Sequence, residues 1–184
     1  GNISVEAALE LRAKYTPGVI PFSTNYSQKK GKVEFYRGTP YTGYVYPVCF
    51  LIQGKLDAVQ NCVDYFYDAQ QDYYNKKGIW GPMAPVYIWP RWDNVNYGDP
   101  ETFVYVEWGY HQPWAGYYSR ALFSACHLWE EMKKMGLPIS PKLISVCERW
   151  MTYLADFMDK NDDNTPTVFP VDGLPYNDGY DPNP

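Results

Sequence analysis

The chain has 184 residues and a formal charge of −5, and with 46% hydrophobic and 20% charged residues it falls among globular rather than disordered polypeptides. Its acidic balance, with no basic run beyond Lys29, Lys30 and Lys32, excludes nucleic-acid binding as the main function. No apolar stretch approaches the roughly 18 residues needed to span a bilayer, and an aromatic content of 18%, more than a core requires, implies that part of the surplus lines a cleft or an interface.

Val5 to Tyr15 combines strong helix formers with an apolar stripe and reads as the end of a helix already under way, stopped by Pro17 and Gly18. The loop that follows, TPGVIP at 16–21, returns as TPTVFP at 165–170 and more loosely as KGIWGP at 77–82, so three helix exits share one turn chemistry. A short helix is expected from Thr42 to Gln53, with Pro47 kinking it or delaying its start. Gly54 closes that helix, and a longer one runs from Lys55 to Asn75 with Leu56, Val59, Val63, Phe66, Ala69 and Tyr73 on one face. Two helices joined by so short a turn make an antiparallel hairpin.

The second hairpin begins with Pro113, suited to a first helical position, and carries the stripe Trp114, Tyr118, Ala121, Ala125, Leu128 and Met132 up to Gly136. Ser140 then caps a helix with Pro141 at its first position and Leu143, Val146, Trp150, Tyr153, Leu154 and Phe157 facing the core. Between the hairpins run two long connections, Phe22 to Thr39 and Met83 to Gln112, the second rich in aromatics with a short strand expected at Thr102 to Val106. Loops of this length in a small domain usually carry function. The domain covers residues 1–175, and the turn-rich 176–184 forms an extended tail.

These elements repeat. VEFYRGTPYTGY, Val33 to Tyr44, matches VEWGYHQPWAGY, Val106 to Tyr117, at one constant offset, and the KLxxV of Lys55, Leu56 and Val59 matches that of Lys142, Leu143 and Val146. Helical hairpins recurring with short turns at one end and long aromatic connections at the other describe a closed or open helical array. In this the sequence resembles the six-hairpin (α/α) toroid architecture of glycoside hydrolases and polysaccharide lyases. The resemblance implies a mainly α fold and a substrate cleft on the face formed by the inter-hairpin loops, here 22–41 and 83–114. Two and a half hairpins cannot close a ring of six, so the chain is expected to be a fragment of a longer polypeptide or to be completed by other subunits.

Within the repeat, Glu107 lies between aromatics that would raise its pKa toward that of a general acid. Glu34 occupies the same position in the earlier copy, and a carboxylate repeated at each inner-helix entrance equally suits a hydrogen-bond acceptor for N-terminal amides. His111 and Gln112 are unmatched, their counterparts being Gly38 and Thr39, and an imidazole there suits either proton transfer or a loop-fixing hydrogen bond. Asp93, in PRWDN, and Asp172, in FPVDG, are loop carboxylates for which Asx-turn formation is the alternative. Glu107, His111 and Asp93 are therefore the candidate catalytic residues. Trp92, Trp108, Tyr110, Gln112, Trp114 and Arg91 are the candidate substrate contacts, the rings stacking on pyranose faces. His127, mid-helix, reads as structural.

Asp159, Asn161 and Asp163 have the opening spacing of a calcium loop, but Pro170 stands where the bidentate Glu is needed, so an acidic helix end is expected and no metal or cofactor is called for. The cysteines Cys49, Cys62, Cys126 and Cys147 lack metal-binding spacing, and each sits in a helical pattern that suggests a buried thiol, with pairing between neighbouring helices left open. The function expected is a carbohydrate-active module that binds, and through its carboxylates can cleave, a polysaccharide. Its alternative is a noncatalytic structural or adhesion module of a larger extracellular or virion assembly. Extracellular, periplasmic or virion-associated placement is compatible with either.

Overall fold

The computed structural model describes residues 14–15, 17–19, 41–87, 101–104 and 115–162. They form a mainly α structure with four α-helices: α1 Val48–Ile52, α2 Leu56–Lys77, α3 Ala115–Lys134 and α4 Pro141–Lys160. A 3-10 turn at Thr42–Tyr44 precedes α1, and two short strands, β1 Val86–Tyr87 and β2 Phe103–Val104, pair antiparallel with Val86 opposite Val104 and Tyr87 opposite Phe103. Of the strand expected at 102–106, Phe103 and Val104 form β2, Thr102 stands outside it, and 105–106 lie outside the described residues.

Pro47 divides the first helical segment as its chemistry requires. It has no N–H to continue a helix from Thr42, but its carbonyl accepts from Phe50 N (2.9 Å) and Leu51 N (3.0 Å) and so starts α1. Gly54, at φ 69°, ends α1, and Gly78 and Gly136, each at φ 68°, end α2 and α3 in the left-handed conformation that favours glycine. Lys76 and Lys77 occupy the last turn of α2, and Lys133 and Lys134 that of α3, where cations offset the helix dipole. Ser140 has the extended backbone of an N-cap ahead of Pro141, but its side chain makes no capping hydrogen bond, contrary to the sequence expectation.

The core is assembled from the stripes of the long helices. Tyr118, Ala121, Ala125, Leu128 and Met132 of α3 are buried, as are Leu143, Val146, Trp150 and Phe157 of α4, while Tyr153 and Leu154 are half-buried. On α2 the buried face runs from Ala58 and Val59 through Cys62, Val63, Phe66 and Ala69 to Tyr73; Leu56, expected on it, is exposed because it precedes the point where the helix meets its neighbours. α2 packs on α1 and α4, and α3 packs on α4, α1 and the 3-10 turn. Trp150 fills the α3–α4 contact with its ring centroid 5.4 Å from that of Tyr118.

Buried polar groups fix how these elements meet. Ser124 Oγ donates to Val45 O (2.6 Å), joining α3 to the segment before α1. Gln70 Nε2, on the buried face of α2, donates to Gly81 O (2.8 Å) and Val146 O (3.1 Å), joining α2 both to its own exit loop and to α4. Thr42 Oγ1 donates to Ala84 O and Thr42 N to Pro85 O, so the start of the 3-10 turn is held against the approach to β1. Each group, if left unpaired inside, would cost about 1–3 kcal/mol, so these bonds select one arrangement among many apolar ones.

Candidate functional site

The C-terminal half of α2 presents Asp68, Gln71, Asp72, Asn75 and Lys76 at spacings of three and four residues, which places them on one face. That face lines a cleft of about 390 Å³ together with Lys14, Tyr15, Tyr87 and Glu101 to Phe103. Beneath it the rings of Tyr15, Tyr65 and Tyr87 form a buried aromatic cluster. Tyr15 meets Tyr65 and Tyr87 edge-on, both with centroids 5.1 Å away, and Phe103 lies 5.0 Å from Tyr87 and 5.5 Å from Tyr65. The β1–β2 pairing sets Tyr87 beside Phe103 and so joins two residues distant in sequence in one aromatic cluster.

Two carboxylates converge at the rim through Lys14. Asp68 Oδ2 accepts from Lys14 Nζ (2.7 Å) and from the Tyr15 hydroxyl (2.8 Å), and Glu101 Oε1 accepts from the Lys14 backbone N–H (2.8 Å). Glu101 achieves this at φ 60°, a left-handed conformation that costs a residue with a Cβ about 1–2 kcal/mol and is often retained where geometry matters more than stability. Burial, and then the bond to Asp68, push the Tyr15 hydroxyl far above an ordinary phenol. Burial, with the negative charges of Glu101 and Asp68, pushes Tyr87 up as well. Both phenols therefore stay protonated throughout the physiological range. The cleft offers carboxylate acceptors, two side-chain amides and ammonium donors beside the half-buried Phe103, a combination suited to the hydroxyls of a polyol.

A second cavity, of about 660 Å³, lies between the exit of α2 at Ile79 and Trp80 and the outer face of α4 from Glu148 to Asn161. Trp80 stacks on Tyr74 at 3.9 Å and 9° with one face and carries the Arg149 guanidinium, 3.8 Å from its centroid, on the other. Tyr67 stands 5.2 Å from the same guanidinium. Both faces of Trp80 are taken, so it is no platform for a sugar ring. No family model, curated protein or solved structure matches the chain. The candidate sites therefore rest on their own geometry.

All of the candidate residues named from sequence, Asp93, Glu107 and His111 with Arg91, Trp92, Trp108, Tyr110, Gln112 and Trp114, lie outside the described residues, as do Glu34 and Asp172. His127 is described and is structural in its contacts: Nδ1 lies 2.6 Å from the Tyr46 hydroxyl and Nε2 3.7 Å from Glu131. Asp159 belongs to the last turn of α4, and Asn161 at its end donates from Nδ2 to Phe157 O (2.7 Å), the helix-ending role. Among the described residues no cluster of His, Cys, Asp or Glu could hold a metal ion, and no helix is long and apolar enough to cross a membrane. Asp68 and Arg149 carry no signal of their own in the sequence, because charged residues at helical spacing normally read as a solvated face, and Glu101 reads as an ordinary loop carboxylate. Four tyrosines close to Asp68 in sequence, Tyr65, Tyr67, Tyr73 and Tyr74, were the available signal.

The cysteines divide differently from the expectation of four buried thiols. Cys62 and Cys147 are buried, Cys126 is half-buried and Cys49 is exposed; all four are free. Burial pushes Cys62 up to about 12. Across the α3–α4 contact, a hydrogen bond from the Cys147 thiol holds Cys126 down at about 7, and the same bond raises Cys147. Alkylation of Cys126 by iodoacetamide should follow an apparent pKa near 7, its rate rising as the pH passes through that value. In Cys147→Ala the profile should move up toward an ordinary thiol near about 8.5. Peptide mapping across pH 6 to 9 reads the shift, and an unchanged profile in the variant contradicts the shared hydrogen bond.

Proposed function

We propose that the chain is a carbohydrate-active module of (α/α) toroid type that holds a polysaccharide in the cleft around Asp68 and Glu101. One observation carries this reading: Asp68, Gln71, Asn75, Lys76 and Glu101 line a single cleft beside the half-buried Phe103, gathering carboxylate, amide and ammonium groups of the kind that recognise sugar hydroxyls. Two further facts support it. The cleft includes Glu101 to Phe103, part of the long connection on which the toroid resemblance places substrate, and the C-terminal half of α2, which feeds that connection. Glu107, His111 and Asp93 are the residues proposed for any cleavage, with Glu107 as the general acid.

A glycan array with product analysis tests this. Wild-type protein should retain a polysaccharide, and Asp68→Asn, which keeps the shape but removes the charge, should weaken retention about tenfold, the scale expected for one charged hydrogen-bonding group of about 1.5 kcal/mol. Glu107→Gln should abolish turnover while leaving retention in place. Retention equal in wild type and Asp68→Asn would place the polysaccharide elsewhere, and no retention of any glycan would remove this reading. A second reading, an interface module in a larger assembly, is favoured by Ile52 and Phe123, apolar side chains 79% and 63% exposed. Absence of glycan retention together with concentration-dependent association would support it.

A further inference from the structure

The geometry points to the cavity on the outer face of α4 as a second binding site, for a small ring compound that carries a carboxylate, with Arg149 as its anchor. Among the described residues it shares none with the cleft around Asp68 and Glu101, so it stands or falls independently of the proposed polysaccharide function.

Arg149 lines this cavity and is held there by aromatic rings. Its guanidinium lies 3.8 Å from the Trp80 ring centroid and 5.2 Å from that of Tyr67, and such stacking fixes the plane of the group without using its N–H bonds. Nη1 is buried and has no hydrogen-bond partner. A buried donor on a permanent charge normally has a partner, because leaving it unpaired forfeits its hydration with nothing in return. Glu148 and Asp156 line the same cavity, yet neither forms an ion pair with Arg149, and Lys160 on the same wall balances part of their charge. The aromatic clamp keeps the guanidinium away from its own carboxylate neighbours.

The rest of the cavity says what kind of molecule would bring the acceptor. At about 660 Å³ it lies within the range of small-molecule pockets, roughly 300–1,000 Å³. Its walls near Arg149 are Ile79, Phe157 and the half-buried Tyr153, whose ring is itself braced by Trp150 at 5.6 Å and 23°. Apolar walls around one planar cationic fork suit a flat or CH-faced ring bearing a single carboxylate, which accepts two parallel N–H bonds from a guanidinium. An aromatic acid and a uronic acid both have that chemistry.

Calorimetric titration of the full chain separates the possibilities. The probes are benzoate against benzamide and benzamidinium, and glucuronate against glucose. At least one acid should bind about tenfold or more tightly than its neutral counterpart, and benzoate more tightly than benzamidinium. Arg149→Lys, which keeps the charge and loses the fork, should give back about that tenfold. Because Arg149 is stacked in the fold, a second variant guards against a folding artefact: Thr152→Trp adds bulk from an exposed position on the cavity wall and should block the acid while circular dichroism stays unchanged. Asp68→Asn should leave acid binding as it is. Equal affinity for acids and neutral counterparts, preference for benzamidinium, or full binding in a folded Arg149→Lys protein would each overturn the assignment.

Discussion

Replacing Trp150 with alanine is expected to cost about 3–5 kcal/mol of stability, the largest loss from any single side-chain truncation in the described core. Trp150 is only 1% exposed and lies where α4 meets α3, between Tyr118 at 5.4 Å and Tyr153 at 5.6 Å. Removing the indole takes away its transfer free energy and leaves a cavity lined by rings anchored on two different helices, which cannot close it without moving the helices. Urea denaturation followed by circular dichroism reads the loss as a lower midpoint. Met151→Ala, one residue on and 46% exposed, supplies the comparison and should stay within about 0.5 kcal/mol of wild type. Equal midpoints for the two variants would mean that the α3–α4 contact does not carry the fold.

Gly81→Ala should be nearly as damaging, by about 2–5 kcal/mol, although it adds one methyl group. Gly81 sits at φ +121°, where a residue with a Cβ is strained, and an added Cβ would stand 2.3 Å from Tyr153 Cβ, 2.7 Å from Tyr153 Cγ and 3.1 Å from Arg149 O. These are atoms near the root of a side chain and on the α4 backbone, so relief requires the α2 exit loop to move off α4. Gly136→Ala separates conformation from contact: its φ is +68° with nothing within 4 Å of the added Cβ, and it should cost only about 1 kcal/mol. Thermal melts of the two variants should differ by several degrees. If Gly136→Ala proves as costly as Gly81→Ala, backbone strain accounts for both and the close approach to Tyr153 counts for nothing.

Most of what local chemistry controls was legible in the sequence. Pro47 marked the break before α1, Gly54 and Gly136 marked helix ends, and the period of Tyr118, Ala121, Ala125, Leu128 and Met132 named most of the buried face of α3, missing Ser124, while Trp114 of the same stripe lies outside the described residues. The misses share a cause. Leu56 has the right period but lies beyond the contact, Ser140 has the right residue type but makes no side-chain bond, and Cys49 follows a helical pattern yet faces outward. In each the pattern described the element and the neighbour decided the outcome. The candidate sites show the same limit more strongly. Asp68 becomes interesting only when Lys14 and Tyr15 reach it across more than fifty residues, and Arg149 only when Trp80 and Tyr67 close on it from α2 and its exit.

Gln70 determines how far α2 can slide along α4. Apolar side chains such as Val63, Phe66 and Tyr73 would find comparable company one helical turn away, since dispersion and hydrophobic contact have little direction. An amide donating to two carbonyls, Gly81 O on the exit loop and Val146 O on α4, has one position at which both bonds form. A slip of one turn would strand those donors in the interior. While the bond from Lys142 Nζ to Asp64 Oδ1 (2.6 Å) joins the same two helices at their margin, in the interior the axial register of α2 on α4 is thus set by a single nitrogen. Because Gly81 adjoins Trp80, and Val146 lies one turn before Arg149, the same nitrogen also sets the width of the cavity between them.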